Sequence, residues 1–133
     1  MSKEGGLANP GALGLAGFGL TTVLLNIHNA GLVEVPLVTF CYGFFYGGIA
    51  QVIAGIIDGK RGDIFGLTAF TSYGLFWLGL SLATLLDWLK VVQLSTVELG
   101  YVMLMWGIFT PVSYTHLRAH ETSLHLVCRL LLE

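Results

Sequence analysis

Phe18, Thr22, Asn26 and Asn29 recur at i, i+4, i+8 and i+11, a spacing that stacks one aromatic ring and three hydrogen-bonding side chains along one face of a helix. Thr68, Thr71, Ser72 and Tyr73 form a second polar patch, with Phe70, Phe76 and Trp77 close by. Between these patches Gln51 lies four residues from both Gly47 and Gly55. Hydroxyl and amide groups donate hydrogen bonds to a small carboxylate, while aromatic and methyl-bearing walls receive its apolar end. Thr22, Asn26, Gln51, Thr68, Thr71 and Ser72 are therefore candidate linings of a path for small monocarboxylates. The same residues also have a purely structural use: Thr and Ser bond back to their own helix, Asn and His sit at interfaces, and aromatic rings fill volume. Residue types alone leave both uses open.

Enzymatic chemistry finds little support. His28 has no Ser, Cys or carboxylate partner at helical spacing, and no phosphate-binding loop is present. His116, His120, His125 and Cys128 have a metal-like spacing near the end of the chain, but a metal centre needs a matched second pair and a supporting shell. No catalytic residue, cofactor or metal is expected. No Asp, Glu, Lys or Arg falls at mid-membrane depth, so a proton relay has no obvious members and a coupled proton would travel on the substrate itself.

The elements that must carry these side chains are long and apolar. Gly11–Ala30, Pro36–Ile57, Ile64–Leu86 and Leu99–Pro111 contain no Asp, Glu, Lys or Arg, and most are long enough to cross a bilayer core. Hydrophobic residues make up 55% of the 133, charged residues only 11%, and the formal net charge is −2. Mean hydropathy is +0.79. A soluble fold of this composition could not cover its surface, and no basic face exists for nucleic acid. The expected fold is an all-α, multi-pass transmembrane helix bundle with spans at about 10–30, 36–57, 64–86 and 97–111. The first apolar run is too long for a signal peptide, and Asn26-Ile27-His28-Asn29 does not resemble a cleavage site. Cys41 lies inside a span and Cys128 in the final segment, so no disulfide framework is implied.

Local signals place the helix ends and the topology. Asn9-Pro10 is a helix start, with Asn as N-cap and Pro at the first helical position; the unpaired N–H groups and positive dipole end there favour an anion. Pro36 opens the second helix, which is expected to end before Asp58-Gly59-Lys60-Arg61. Lys60 and Arg61 make this the most basic loop, which puts it and the N-terminus on the cytoplasmic side of the cell membrane. Gly43, Gly47 and Gly55 share a stripe with Gln51, and close helix packing is its expected use.

Leu7-Ala8-Asn9-Pro10-Gly11-Ala12-Leu13-Gly14-Leu15, Phe18-Gly19, Phe45-Tyr46-Gly47-Gly48-Ile49-Ala50-Gln51 and Phe65 to Gly74 closely resemble the acetate uptake transporter family. The resemblance extends from about Leu7 to about Thr110, where Trp106-Gly107-Ile108-Phe109-Thr110 is similar to the family's fourth helix. It implies that Asn9, Pro10, Leu13 and Gly14 belong to the transport motif, in which Ala12 replaces a second Pro. It also implies that Phe18 and Tyr73 are aromatic members of a narrow hydrophobic constriction. The implied assembly is a six-helix protomer, of which four spans are present here, in a homo-hexamer that passes acetate and, in some members, succinate, alone or with a proton.

Residues 1–112 would then be the membrane domain. Residues 113–133, beginning Ser113-Tyr114-Thr115-His116-Leu117, have no counterpart in the family and resemble a translated adapter or vector sequence, foreign or disordered. Two other readings follow from the same residues: a membrane-embedded interaction or sensor protein that kept its glycine contacts without permeation, and a non-functional truncated product.

Overall fold

The computed structural model describes the backbone of residues 6–33 and 36–132; the side chains of residues 36, 117, 118 and 120–132 lie outside the description, and with them His120, His125 and Cys128 of the metal-like spacing. The chain divides into two compact units at Leu94/Ser95.

The first unit is built from three apolar helices long enough to cross a membrane: Gly11–Asn29, Leu37–Arg61 and Ile64–Trp88. The first is α1. The second runs without a break through α2 (Pro36–Tyr42), a π-helical segment (Gly43–Ala50) and α3 (Gln51–Arg61), and the third is α4. The second span packs against α4 along α3 and the π-helical segment, and also against α1, while α1 and α4 touch more sparingly.

The ends of these helices differ from expectation in physically simple ways. Helix α1 begins at Gly11, because Pro10 (φ −86°, ψ 0°) is outside the helix and Asn9 caps by accepting from Gly11 N at 2.8 Å. The second span continues past residue 57 to Arg61. Arg61 pairs with Asp58 one turn back at 2.8 Å, and Gly62 at φ 81° takes the left-handed conformation that ends a helix. Asp63 then caps α4 by accepting from Gly66 N. A turn of two residues thus makes the hairpin, where a longer charged loop was expected.

The interior of this unit is inverted relative to a soluble protein. Its buried hydrophobic side chains are few, Phe40, Ala54 and Trp77, whereas Thr21, Thr39, Gln51, Asp58 and Ser81 are buried. Leu15, Leu20, Phe45 and Leu75 face outward with more than half of their surface exposed. Small residues inside and large apolar residues outside are what a hydrocarbon solvent selects.

The π-helical segment serves that interior. In an α-helix residues four apart drift by about 40° per step, so the Gly43, Gly47, Gln51 and Gly55 series would spiral off one face. An i→i+5 ladder underwinds the helix and reduces the drift. Gly43, Gly47, Gly48, Gln51 and Gly55 are all buried.

In the second unit α5 spans Thr96–Leu132 with Pro111 inside it. The expected fourth span, 97–111, forms its first part, and the backbone stays helical beyond the expected boundary at residue 112. After Pro111 the sequence has neither Gly nor Pro, so no local breaker stops the helix. Thr115 Oγ1 donates back to Pro111 O at 2.8 Å.

Candidate solute pathway

Two aromatic side chains from opposite ends of the first unit's sequence meet between α1 and α4. The rings of Phe18 and Tyr73 lie edge to face, with centroids 5.1 Å apart and an interplanar angle of 70°. Tyr73 continues to Phe76 at 6.5 Å, and Phe76 to Trp77 at 5.9 Å. Edge-to-face pairs of this kind hold ring positions more tightly than apolar area alone does. On the side toward Asn9 and Pro10, a Cβ at Gly14 would land on the Phe70 ring, so glycine there is what seats Phe70 against α1. Leu13, by contrast, is exposed.

The glycine stripe of the second span faces inward. A Cβ at Gly47 would sit 2.9 Å from Thr21 Cγ2, Thr21 Oγ1 and Trp77 Cγ. One at Gly43 would meet Ser81, and one at Gly55 would meet Thr71. Glycine at these positions draws polar side chains of α1 and α4 onto the second span. Thr21 Oγ1, Thr71 Oγ1, Trp77 Nε1 and both amide atoms of Gln51 are buried there without a hydrogen-bond partner.

The polar residues singled out from sequence divide into two groups. Thr22 Oγ1 donates to Phe18 O at 2.7 Å and Asn26 Nδ2 to Thr22 O at 2.8 Å, so both are engaged by their own helix. Gln51 is buried with both amide atoms unmatched; Thr71, Thr68 and Ser72 are half-buried on α4, Thr71 with its Oγ1 buried and unmatched. Thr21 and Trp77 were not among the expected lining residues. The buried face of α1 is Gly14, Gly17 and Thr21, and that of α4 includes Gly74, Trp77 and Ser81. Each set has spacings of three and four, a signal present in the sequence.

Charge stays at the margin of this arrangement. Asp58, 2% exposed, is held by Arg61, and a Cβ at Gly66 would strike its carboxylate. Among the described residues no group of three or more His, Cys, Asp or Glu is placed to hold a metal ion.

Membrane-length helices packed around an interior of small and polar residues define a multi-pass helical membrane protein. The chain belongs to the GPR1/FUN34/yaaH family, which matches residues 2–131. It is 50% identical over 105 residues to the succinate-acetate/proton symporter SatP of Escherichia coli K12, a match covering 78% of this chain and 56% of that protein. Acetate permease A of Emericella nidulans is 32% identical over 117 residues, covering 79% of this chain and 39% of that one. A solved structure of the bacterial acetate channel SatP superposes with a TM-score of 0.77 at 47% identity, covering 82% of this chain and 61% of that chain. The chain thus spans little more than half the length of these bacterial relatives.

Proposed function

We propose that this chain supplies the first part of a permeation path for acetate, and for succinate, through the cell membrane, with Phe18 and Tyr73 forming its aromatic constriction. The observation that carries the reading is the 5.1 Å edge-to-face contact between those two rings, in a unit whose unmatched buried polar atoms are all uncharged. Relatives named as a succinate-acetate/proton symporter, an acetate permease and an acetate channel support the substrate class. Asn9, Pro10, Leu13 and Gly14 form the mouth on the cytoplasmic side, where the basic turn at Lys60 and Arg61 also lies. The chain acts as a transporter and not as an enzyme, within a homo-hexamer. Gly43, Gly47 and Gly55 are turned inward, which removes them as contacts between chains and weighs against a purely scaffolding role.

The test is acetate uptake into vesicles carrying the full chain, with protein-free vesicles subtracted. Phe18→Ala is expected to change the rate or the acetate-to-succinate ratio, whereas Leu15→Ala, on the outward face, leaves both unchanged. Equal effects of the two substitutions would refute the constriction, and no uptake above protein-free vesicles would refute the permeation reading for this chain.

A further inference from the structure

Gln51 stands out among the buried groups because its side chain is 0% exposed and both Nε2 and Oε1 lack partners. Exchanging the two amide atoms does not relieve this, since a donor and an acceptor are both unmet in either orientation. The groups flanking Gln51 along its helix are also uncharged and unmatched. Thr21 Oγ1 and the ring of Trp77, whose Nε1 is unmatched, are held at Gly47, one turn before it, and Thr71 Oγ1 lies against Gly55, one turn after.

The chemistry of this site selects one form of a carboxyl group. A carboxylate has only acceptors, so it can satisfy Nε2 but leaves Oε1 facing another acceptor. Along this helix the nearest charged residue to Gln51 among the described residues is Asp58, about 10 Å further on at about 1.5 Å per residue, and it is already paired with Arg61. An enclosed, uncharged site penalises an ion that has shed its water. An un-ionised carboxyl group meets both needs at once, its C=O accepting from Nε2 and its O–H donating to Oε1.

Resting on the permeation reading above, we propose that Gln51 is a recognition site for the uncharged acid, pairing its carboxamide with the –COOH group of a small carboxylic acid. The acid's own O–H proton then enters and leaves with it, one per carboxyl group, and is released to water beyond the site. Proton coupling arises without an ionisable side chain in the path.

The chain has two glutamines, Gln51 and the exposed Gln93, so ¹⁵N-glutamine labelling of the full chain in lipid nanodiscs yields two side-chain NH₂ signals. Gln93→Met assigns them without touching the bundle. Acetamide, always neutral with one donor and one acceptor edge, is expected to shift the Gln51 signal equally at about pH 5 and about pH 8. Acetate is expected to shift it at about pH 5, with apparent affinity falling about tenfold for each further pH unit above the carboxyl pKa. Trifluoroacetate, anionic throughout, is expected to leave it unmoved. A trifluoroacetate shift, an acetate shift independent of pH, or no shift with acetamide would each overturn the proposal. Because the readout is binding, a shift in a protein that gives no uptake would refute permeation and leave the site standing.

Discussion

Substituting Gly74 by alanine separates two contributions that usually move together. Gly74 and Gly79 are both inside α4, so alanine raises helix propensity at each, by about 0.5–1 kcal/mol. Their surroundings differ sharply: a Cβ at Gly79 meets nothing within 4 Å, whereas one at Gly74 would lie 2.8 Å from Gly48 O, 2.9 Å from Val52 N and 2.7 Å from Val52 Cγ2. Two of these neighbours are backbone atoms and cannot rotate away. Restoring an ordinary 3.4 Å contact to Gly48 O means opening α4 from the second span by about 0.6 Å (3.4 minus 2.8). Overpacking of this kind costs about 1–3 kcal/mol. Subtracting Gly79→Ala from Gly74→Ala cancels propensity and leaves that cost, an about 5- to 150-fold difference in unfolding constant. Denaturation in mixed micelles, followed by far-UV circular dichroism, measures it. Equal stability of the two variants would refute the claim that backbone contact at Gly74 holds these helices together.

Three further outcomes follow from single contacts. Gly62→Ala, at φ 81° with open space around it, is expected to cost about 1–2 kcal/mol from backbone strain alone, and Gly62→Asn distinctly less, in the same denaturation experiment. Arg61→Met strips the buried Asp58 carboxylate of its partner and is expected to cost about 1–3 kcal/mol, toward the lower end because Arg61 is 28% exposed; exposed Lys60→Met should cost little, and equal losses would refute the role of the ion pair. Thr22→Val and Asn26→Leu remove only bonds to their own helix, so stability should stay within about 0.5 kcal/mol of the parent and acetate uptake should be unchanged. A marked loss of uptake would return both residues to the lining.

Sequence reading succeeds here where the solvent dictates the pattern. The uncharged runs expected as the first three spans coincide with the apolar helices Gly11–Asn29, Leu37–Arg61 and Ile64–Trp88. It falters where a choice depends on rotation about a helix axis. Thr21 and Thr22 are adjacent and chemically identical, and an axial turn of about 100° decides which is buried. The spacing of Gly14 and Gly17 from Thr21 favours Thr21, but only once small residues are taken as the contact face. The Asp58–Arg61 segment reads as loop because four of the six residues in the Asp58–Asp63 run are charged; it is helix because two of those charges neutralise each other across one turn. The π-helical segment has no sequence signature, since its residues suit an α-helix equally well.

The same inverted interior explains both how the unit coheres and why it holds unmet polar atoms. With Phe40, Ala54 and Trp77 the only buried hydrophobic side chains among the described residues, apolar burial cannot be the main attraction between the spans, and lipid offers outward-facing leucines contacts as good as protein does. Cohesion must come from close approach: of backbone to backbone at Gly17, Gly55 and Gly74, and of side chains seated on Gly47 and Gly48. Close approach, however, carries whatever lies beside the glycines into the same dry layer: Thr21 and Trp77 at Gly47, Thr71 at Gly55, Gln51 between them. In water a stripped amide would be rehydrated by a small opening of the fold. Inside a bilayer an unmet carboxamide is costly, and on the proposal above a visiting carboxylic acid is what satisfies it. The helix contacts that hold the unit together and the polarity that the proposed recognition uses are therefore two consequences of one glycine stripe. Substitutions there should impair folding and recognition together, whereas Gln51, which contributes the amide and not the close approach, is where the two can be separated.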